Sequence, residues 1–105
     1  MFNFLKNMMP AEDSVDLKEL YENGAKIIDV RTPAEFNMGH IKGSKNIPLQ
    51  NIANHINEFN QDEPLILCCA SGNRSGSARR MFQNQGFSNV HNGGGWQRLK
   101  YTIEG

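Results

Sequence analysis

The sequence has few of the features that mark membrane proteins and nucleic-acid-binding proteins. Its longest apolar runs are only a few residues long, whereas a bilayer-spanning helix needs ~20. The 11 basic and 11 acidic residues cancel, so no basic surface indicates nucleic acid or an anionic membrane as a partner. Residues 1–10 lack the charged start, long apolar centre and small-residue cleavage site of a secretory signal, which favours a cytoplasmic protein.

Cysteine and histidine are also scarce, and their distribution predicts neither a disulfide framework nor a metal site. The two cysteines, Cys68 and Cys69, are adjacent, and a disulfide between neighbours is strained and rare. The three histidines do not match the spacing of metal ligands. We interpret each of them as a surface or hydrogen-bonded structural residue: His40, His55 and His91.

Segments with strand and helix patterns alternate along the 105 residues, which suffice for one small domain. Residues 1–12 have no clear period and are interpreted as a lead-in to a domain over residues 13–105. Asp13 or Ser14 is expected to cap a first helix. Three apolar residues form the predicted buried face of that helix: Val15, Leu17 and Leu20.

The rest of the chain predicts strands over 26–30, 65–69 and 88–91, a brief strand before Pro48, and helices over 32–39, 49–59, 75–85 and 96–101. The triple glycine at 93–95 is predicted to form a sharp turn. Because strands alternate with helices, we expect an α/β fold, a small parallel sheet flanked by helices on both faces.

Cys69 is the candidate nucleophile, because it lies at the carboxyl end of an apolar strand. In parallel α/β folds, ligands bind at the carboxyl ends of the strands. Three features near it favour the reactive thiolate over the thiol. The following helix directs its unpaired first N–H groups toward the loop. The small residues Ser71-Gly72-Asn73 are able to curl their N–H groups inward around an anion. Arg74 adds a permanent cation, which either closes the loop around an anion or pairs with a neighbouring carboxylate.

Four further residues are expected to support this loop rather than to react. Asp29 and Arg31 emerge where the preceding strand ends, and the residues after them, Thr32-Pro33-Ala34-Glu35, predict a capping box. We predict a local ion pair between Arg31 and Glu35, with Asp29 orienting the loop. Trp96 is interpreted as a core residue or as a wall of the pocket.

Several blocks of the sequence resemble rhodanese-like sulfurtransferases of the single-domain type. The loop Cys69-Ala70-Ser71-Gly72-Asn73-Arg74-Ser75 resembles their active-site loop, and it is one residue shorter than the phosphate-binding loop of cysteine phosphatases. The segments Ile28–Phe36, Gly39–Ser44, Asn46–Pro48 and Gly93–Trp96 resemble their other signatures.

The resemblance implies a rhodanese-like fold and a sulfurtransferase that needs no cofactor and no metal. Cys69 would take a sulfur atom from a small anionic donor, thiosulfate or another persulfide. It would pass that sulfur, as a persulfide, to a thiol, cyanide or a sulfur-carrier acceptor. The resemblance also implies a set of substrate-binding residues in the loop: Ala70, Ser71, Gly72, Asn73, Arg74 and Ser75. We expect the protein to be a monomer.

Two departures from the family pattern leave alternatives open. Cys68 stands where relatives often have an aromatic residue or histidine, and we predict that it points away from Cys69 as a buried residue, a resolving thiol being the alternative. The loop also lacks the additional basic residue of some thiosulfate-preferring relatives. Other functions on the same fold are a phosphatase or arsenate reductase, disfavoured by the shorter loop, and a non-catalytic binding module, disfavoured by the presence of Cys69.

Overall fold

The computed structural model describes residues 15–105, so the predicted caps Asp13 and Ser14 lie outside the described part of the chain. Within these residues, four strands form one parallel sheet: β1 (Lys26–Asp29), β2 (Lys45–Asn46), β3 (Leu65–Cys69) and β4 (Val90–Gly95). Their order across the sheet is β2-β1-β3-β4. The predicted α/β fold with a small parallel sheet is therefore confirmed.

In the described part of the chain, five helices and two 3₁₀ turns surround this sheet. The helices are α1 (Leu17–Glu22), α2 (Pro33–Asn37), α3 (Ile52–His55), α4 (Asn73–Asn84) and α5 (Trp96–Glu104). The single helix predicted over 49–59 is divided, because 3₁₀ turns at Leu49–Asn51 and Ile56–Glu58 flank α3. Among the helices of residues 15–105, none combines the length and the apolar character needed to cross a membrane.

β3 is one of the two inner strands, and its residues alternate between two hydrophobic cores. All five of its residues are buried, as expected for a parallel strand covered on both faces. Leu65, Leu67 and Cys69 belong to the core that α3 and α4 cover. Ile66 and Cys68 belong to the other core, which α1 and α5 cover. Cys68 and Cys69 therefore point to opposite faces of the sheet, as predicted.

The first helix begins later than predicted, at Leu17, and its cap is Asp16. The carboxylate of Asp16 accepts the backbone N–H of Glu19 at 3.0 Å, so Asp16 supplies the acceptor that the first turn needs. Val15, predicted on the buried face, precedes the helix, whereas Leu17 and Leu20 pack against the core as predicted.

The triple glycine is not a turn but the end of β4, so that prediction was wrong. A Cβ atom at Gly93 would lie 2.8 Å from Ile66 Cγ2, and one at Gly95 would lie 2.9 Å from the carbonyl oxygen of Ala70. Glycine at these positions lets the strand lie close to β3 and to the loop after it. Gly94 has a φ of 80°, and the pairing of β3 with β4 shifts register near it.

Candidate active site

The sulfur of Cys69 is surrounded by hydrogen-bond donors from the loop and from the first turn of α4. The backbone N–H of Gly72 donates to Cys69 Sγ at 3.0 Å, and the N–H of Ser75 donates to it at 3.4 Å. The hydroxyl oxygen of Ser75 also lies 3.4 Å from Sγ. Gly72 has a φ of 103°, a left-handed conformation that suits glycine, and it caps α4. The chain thus reverses around the sulfur within a few residues.

This environment lowers the pKa of Cys69. Burial alone would raise the pKa of this thiol, since the residue is only 1% exposed. Hydrogen bonds from the hydroxyl and the amide of Ser75, and from the amides of Ser71 and Gly72, outweigh that effect and place the pKa below that of an ordinary thiol. Cys69 is therefore the residue on β3 that is prepared to form a thiolate.

Cys68 has the opposite electrostatic environment although it is the next residue in the chain. Burial raises the pKa of its thiol to about 12, and the negative charge of Asp29 adds to the effect. Its side chain lies in the second core, behind the sheet as seen from Cys69. Cys68 remains a neutral thiol at any physiological pH, and the two cysteines differ in chemistry because the strand alternates.

Arg74 is held by Glu35 and not by the loop that it follows. Its two terminal nitrogens donate to the two carboxylate oxygens of Glu35 at 2.7 and 3.0 Å. This pair, together with hydrogen bonds from Thr32, lowers the pKa of Glu35 to about 2. The predicted capping box is present, since Glu35 accepts the N–H of Thr32 and Thr32 accepts the N–H of Glu35. One carboxylate therefore fixes both α2 and the active-site loop.

The predicted ion pair between Arg31 and Glu35 was wrong, because the carboxylate partner of Arg31 is Asp29. Arg31 donates from Nε and from a terminal nitrogen to Asp29 at 2.7 to 3.0 Å, and it meets Glu35 at the backbone carbonyl. Hydrogen bonding to Asp29 raises the pKa of Arg31. The guanidinium lies 4.6 Å from the ring centre of Trp96, which packs against the second core. Asp29, Arg31 and Trp96 therefore form a scaffold on the far face of the sheet from Cys69.

Asn92 also belongs to this site, although it was not predicted from the sequence. Its Oδ1 accepts the Ser75 hydroxyl at 2.7 Å and the Gly94 N–H at 2.9 Å, and its Nδ2 donates to the carbonyl oxygen of Gly72 at 3.1 Å. The available signal was its position, near the carboxyl end of the strand that pairs with β3. Carboxyl ends of parallel neighbours meet at one edge of the sheet, so such a polar residue lies beside the loop.

The donors converge on Cys69, but the thiol itself is almost closed off from solvent. A cleft of about 230 Å³ is bordered by Arg74 and by residues that follow β1 and β2, and Cys69 is not among its lining residues. No group of acidic, histidine and cysteine side chains that could hold a metal ion occurs within residues 15–105. The arrangement is suited to chemistry at a single sulfur atom.

Comparison with known proteins identifies the family to which this chain belongs. The model of the family described as "Rhodanese-like domain" matches residues 13–100. This chain belongs to the rhodanese-like domain family. It is 43% identical over 75 residues to "Thiosulfate sulfurtransferase GlpE" from Pseudomonas aeruginosa, an overlap of 71% of this chain and 68% of that protein.

Solved structures agree with the fold of this rhodanese-like domain. A rhodanese from E. coli solved with anions superposes with a TM-score of 0.67 at 29% identity, covering 70% of this chain and 89% of that one. A human single-domain sulfurtransferase superposes with a TM-score of 0.73 over 85% of this chain and 91% of its own. At 22% identity the human protein supports the fold alone.

The remaining predicted loop residues occupy different positions around the sulfur. Ala70, Ser71 and Asn73 are exposed, and Asn73 begins α4. The carbonyl oxygen of Ala70 lies against the backbone of Gly95, which fixes the start of the loop on β4. The loop of this rhodanese-like domain is thus fixed to α2 by Arg74 and to β4 by Ala70 and Asn92.

Proposed function

We propose that this rhodanese-like domain is a sulfurtransferase in which Cys69 carries the transferred sulfur as a persulfide. The observation that carries the proposal is the convergence of two backbone N–H groups and one hydroxyl on Cys69 Sγ. Such donors stabilise an anionic sulfur in a site that excludes water, where electrostatic interactions are strong. The lowered pKa of Cys69 is the expected consequence.

The reaction divides one transfer into two displacements at sulfur. The Cys69 thiolate attacks the outer sulfur of thiosulfate, the sulfur–sulfur bond of the donor breaks, and sulfite leaves with the bonding electron pair. A nucleophilic acceptor then attacks the outer sulfur of the Cys69 persulfide. The Cys69–sulfur bond breaks, and the thiolate is restored. With cyanide as the acceptor the product is thiocyanate, and no net oxidation or reduction of the protein takes place.

The loop N–H groups are proposed to hold the negative charge wherever it lies along this path. In the resting protein they contact Sγ, and in the persulfide the charge moves to the outer sulfur, which the loop from Ala70 to Ser75 would surround. The side chain of Arg74 contributes less to attracting the donor than an unpaired arginine would, because Glu35 already neutralises it. The backbone therefore carries most of the proposed binding.

The donor and the acceptor are proposals of different strength. The name of the Pseudomonas aeruginosa relative, thiosulfate sulfurtransferase, supports thiosulfate as the donor. A thiol or a sulfur-carrier protein is proposed as the acceptor in the cell, with cyanide as its replacement in an assay. Because Cys69 is buried, small donors suit this site better than bulky ones.

The decisive experiment measures the intact mass of the protein after incubation with thiosulfate. The expected result is an increase by one sulfur atom, reversed by cyanide with release of thiocyanate. Cys69→Ser should abolish the increase, whereas the matched control Cys68→Ser should retain it, because the two thiols face opposite cores.

Two results would contradict the assignment. One is a mass that never changes with thiosulfate or with a small organic persulfide, which would favour a binding module. The other is an adduct that depends on Cys68 and survives loss of Cys69, which would place the chemistry on the wrong face of the sheet.

A further inference from the structure

The side-chain amide of Asn92 has only one orientation that its neighbours permit. Its oxygen faces the N–H of Gly94 at 2.9 Å, and its nitrogen faces the carbonyl oxygen of Gly72 at 3.1 Å. Exchanging the two atoms would place a donor against a donor and an acceptor against an acceptor. The atom that faces the Ser75 hydroxyl at 2.7 Å is therefore the amide oxygen, which only accepts.

This orientation fixes the hydrogen of the Ser75 hydroxyl. A serine hydroxyl has one hydrogen to donate, and here it lies in the short bond to Asn92. When Cys69 is protonated, the contact between Ser75 Oγ and Cys69 Sγ at 3.4 Å then uses the thiol hydrogen, with the serine oxygen as acceptor. In that form of Cys69, Ser75 does not donate to the sulfur.

Loss of the thiol proton to solvent reverses the requirement at Ser75. A thiolate accepts hydrogen bonds and offers none, so the lone pairs of the hydroxyl would then face a negative sulfur. Rotation about the Cβ–Oγ bond redirects the hydrogen to Sγ, and no covalent bond changes. The Oδ1 of Asn92 keeps the N–H of Gly94 as its donor, so the rotation leaves no buried acceptor unsatisfied.

We propose that Asn92 is a positioning residue for the sulfur-transfer reaction, which holds the Ser75 hydrogen while Cys69 is a thiol and releases it to the sulfur when the thiolate forms. This inference rests on the proposed function, since it gives the loop a donor that follows the charge. When the charge moves to the outer sulfur of the persulfide, the Ser75 hydrogen returns to Asn92. The bond from Asn92 to Gly72 keeps the loop in place throughout.

The test is a double-mutant cycle on the pKa of Cys69 with four proteins: wild type, Ser75→Ala, Asn92→Leu and the double variant. The pKa is obtained from the pH dependence of the alkylation rate at Cys69, identified by mass, with each protein first checked for folding by circular dichroism. The groups that interact electrostatically with Cys69, Arg74 on α4 and Cys68 on β3, are unchanged in all four. Asn89→Leu is the matched control, because Asn89 contacts His91 rather than the loop.

In the wild-type background, Ser75→Ala should raise the pKa of Cys69 by about one unit, since the thiolate loses a hydrogen bond. In the Asn92→Leu background, Ser75→Ala should raise the pKa of Cys69 by ~0.7 unit more than in wild type. Without Asn92, the Ser75 hydroxyl loses no hydrogen bond to another acceptor when it donates to the sulfur. Asn89→Leu should leave the pKa unchanged. Should leucine at position 92 prevent folding, Asn92→Ala removes the same three hydrogen bonds and is interpreted in the same way.

Equal effects of Ser75→Ala in the two backgrounds, within about 0.3 unit, would overturn the proposal. So would a smaller effect in the Asn92→Leu background, or an equal shift in the Asn89→Leu control. Alkylation needs no sulfur donor, so this result is independent of whether thiosulfate loads Cys69. A result that refutes the role of Asn92 is therefore distinguishable from one that refutes the proposed sulfur transfer.

Discussion

The close approach of β4 to its neighbours predicts that Gly93 does not tolerate even a methyl group. The Cβ atom of an alanine at this position would lie 2.8 Å from Ile66 Cγ2, 2.9 Å from Leu99 Cδ2 and 3.1 Å from the backbone oxygen of Leu67. Two of these atoms are methyl carbons of buried side chains and the third is a backbone oxygen of β3, so relief requires that the core repack or that the strand move. Overpacking of this kind costs about 1–3 kcal/mol, and three simultaneous contacts place Gly93→Ala near ~3 kcal/mol.

The matched control is Gly94→Ala, one residue along the same strand. Nothing lies within 4 Å of a Cβ atom at Gly94, and its φ of 80° leaves only backbone strain, about 1 kcal/mol. Denaturant unfolding should therefore rank Gly93→Ala as the less stable variant. In thermal unfolding, the Tm of Gly93→Ala should be roughly 10–20 °C below that of wild type. A Gly93→Ala protein as stable as wild type, or more stable than Gly94→Ala, would refute the described packing of β4 on β3.

Three further predictions concern charge. The alkylation rate of Cys69 should rise with pH, with a midpoint below the pKa of an ordinary thiol. Cys68 should react in the folded protein only near pH 12. Peptide mapping after alkylation over a series of pH values would test both expectations. Asp29→Asn should destabilise the domain by about 3–5 kcal/mol in urea unfolding, because Arg31 is left as a buried charge without its carboxylate; a loss under ~1 kcal/mol would contradict this. Glu35→Gln should lower the KM for thiosulfate about 2- to 5-fold at low salt by freeing the loop arginine, and an unchanged KM would exclude any role of that cation in attracting the donor.

The pH dependence of stability follows from the carboxylate that joins α2 to the loop. The folded state lowers the pKa of Glu35 from 4.5 to about 2, so its ion pair with Arg74 stabilises the fold above pH 4.5. That contribution is lost as the pH falls from 4.5 toward 2. Comparing acid unfolding of wild type and Glu35→Gln isolates it, and identical acid profiles would show that the pair adds nothing to stability.

The parts of this protein that the sequence predicted are those determined by neighbours along the chain. The apolar run of β3 and the alternation of Cys68 with Cys69 follow from the period of two residues in a strand. The capping box of α2 needs only residues three apart, Thr32 and Glu35. The N–H groups of Gly72 and Ser75 reach Cys69 within six residues, so the candidate nucleophile was visible as a local motif.

What the sequence did not determine are the choices among distant partners of similar chemistry. Two carboxylates, Asp29 and Glu35, lie close to Arg31 in the chain. Arg31 pairs with Asp29 in its buried position beside Trp96, whereas Glu35 pairs with Arg74, 39 residues away. In the sequence, three consecutive glycines indicate conformational freedom. Only the folded structure shows that the atoms of β3 and α5 leave no space for a side chain at Gly93. Asn92 joins the site because parallel strands end at one edge of the sheet. Local hydrogen bonds are set by the order of residues, whereas the partner of a buried charge or amide is decided only when the folded chain removes the alternatives.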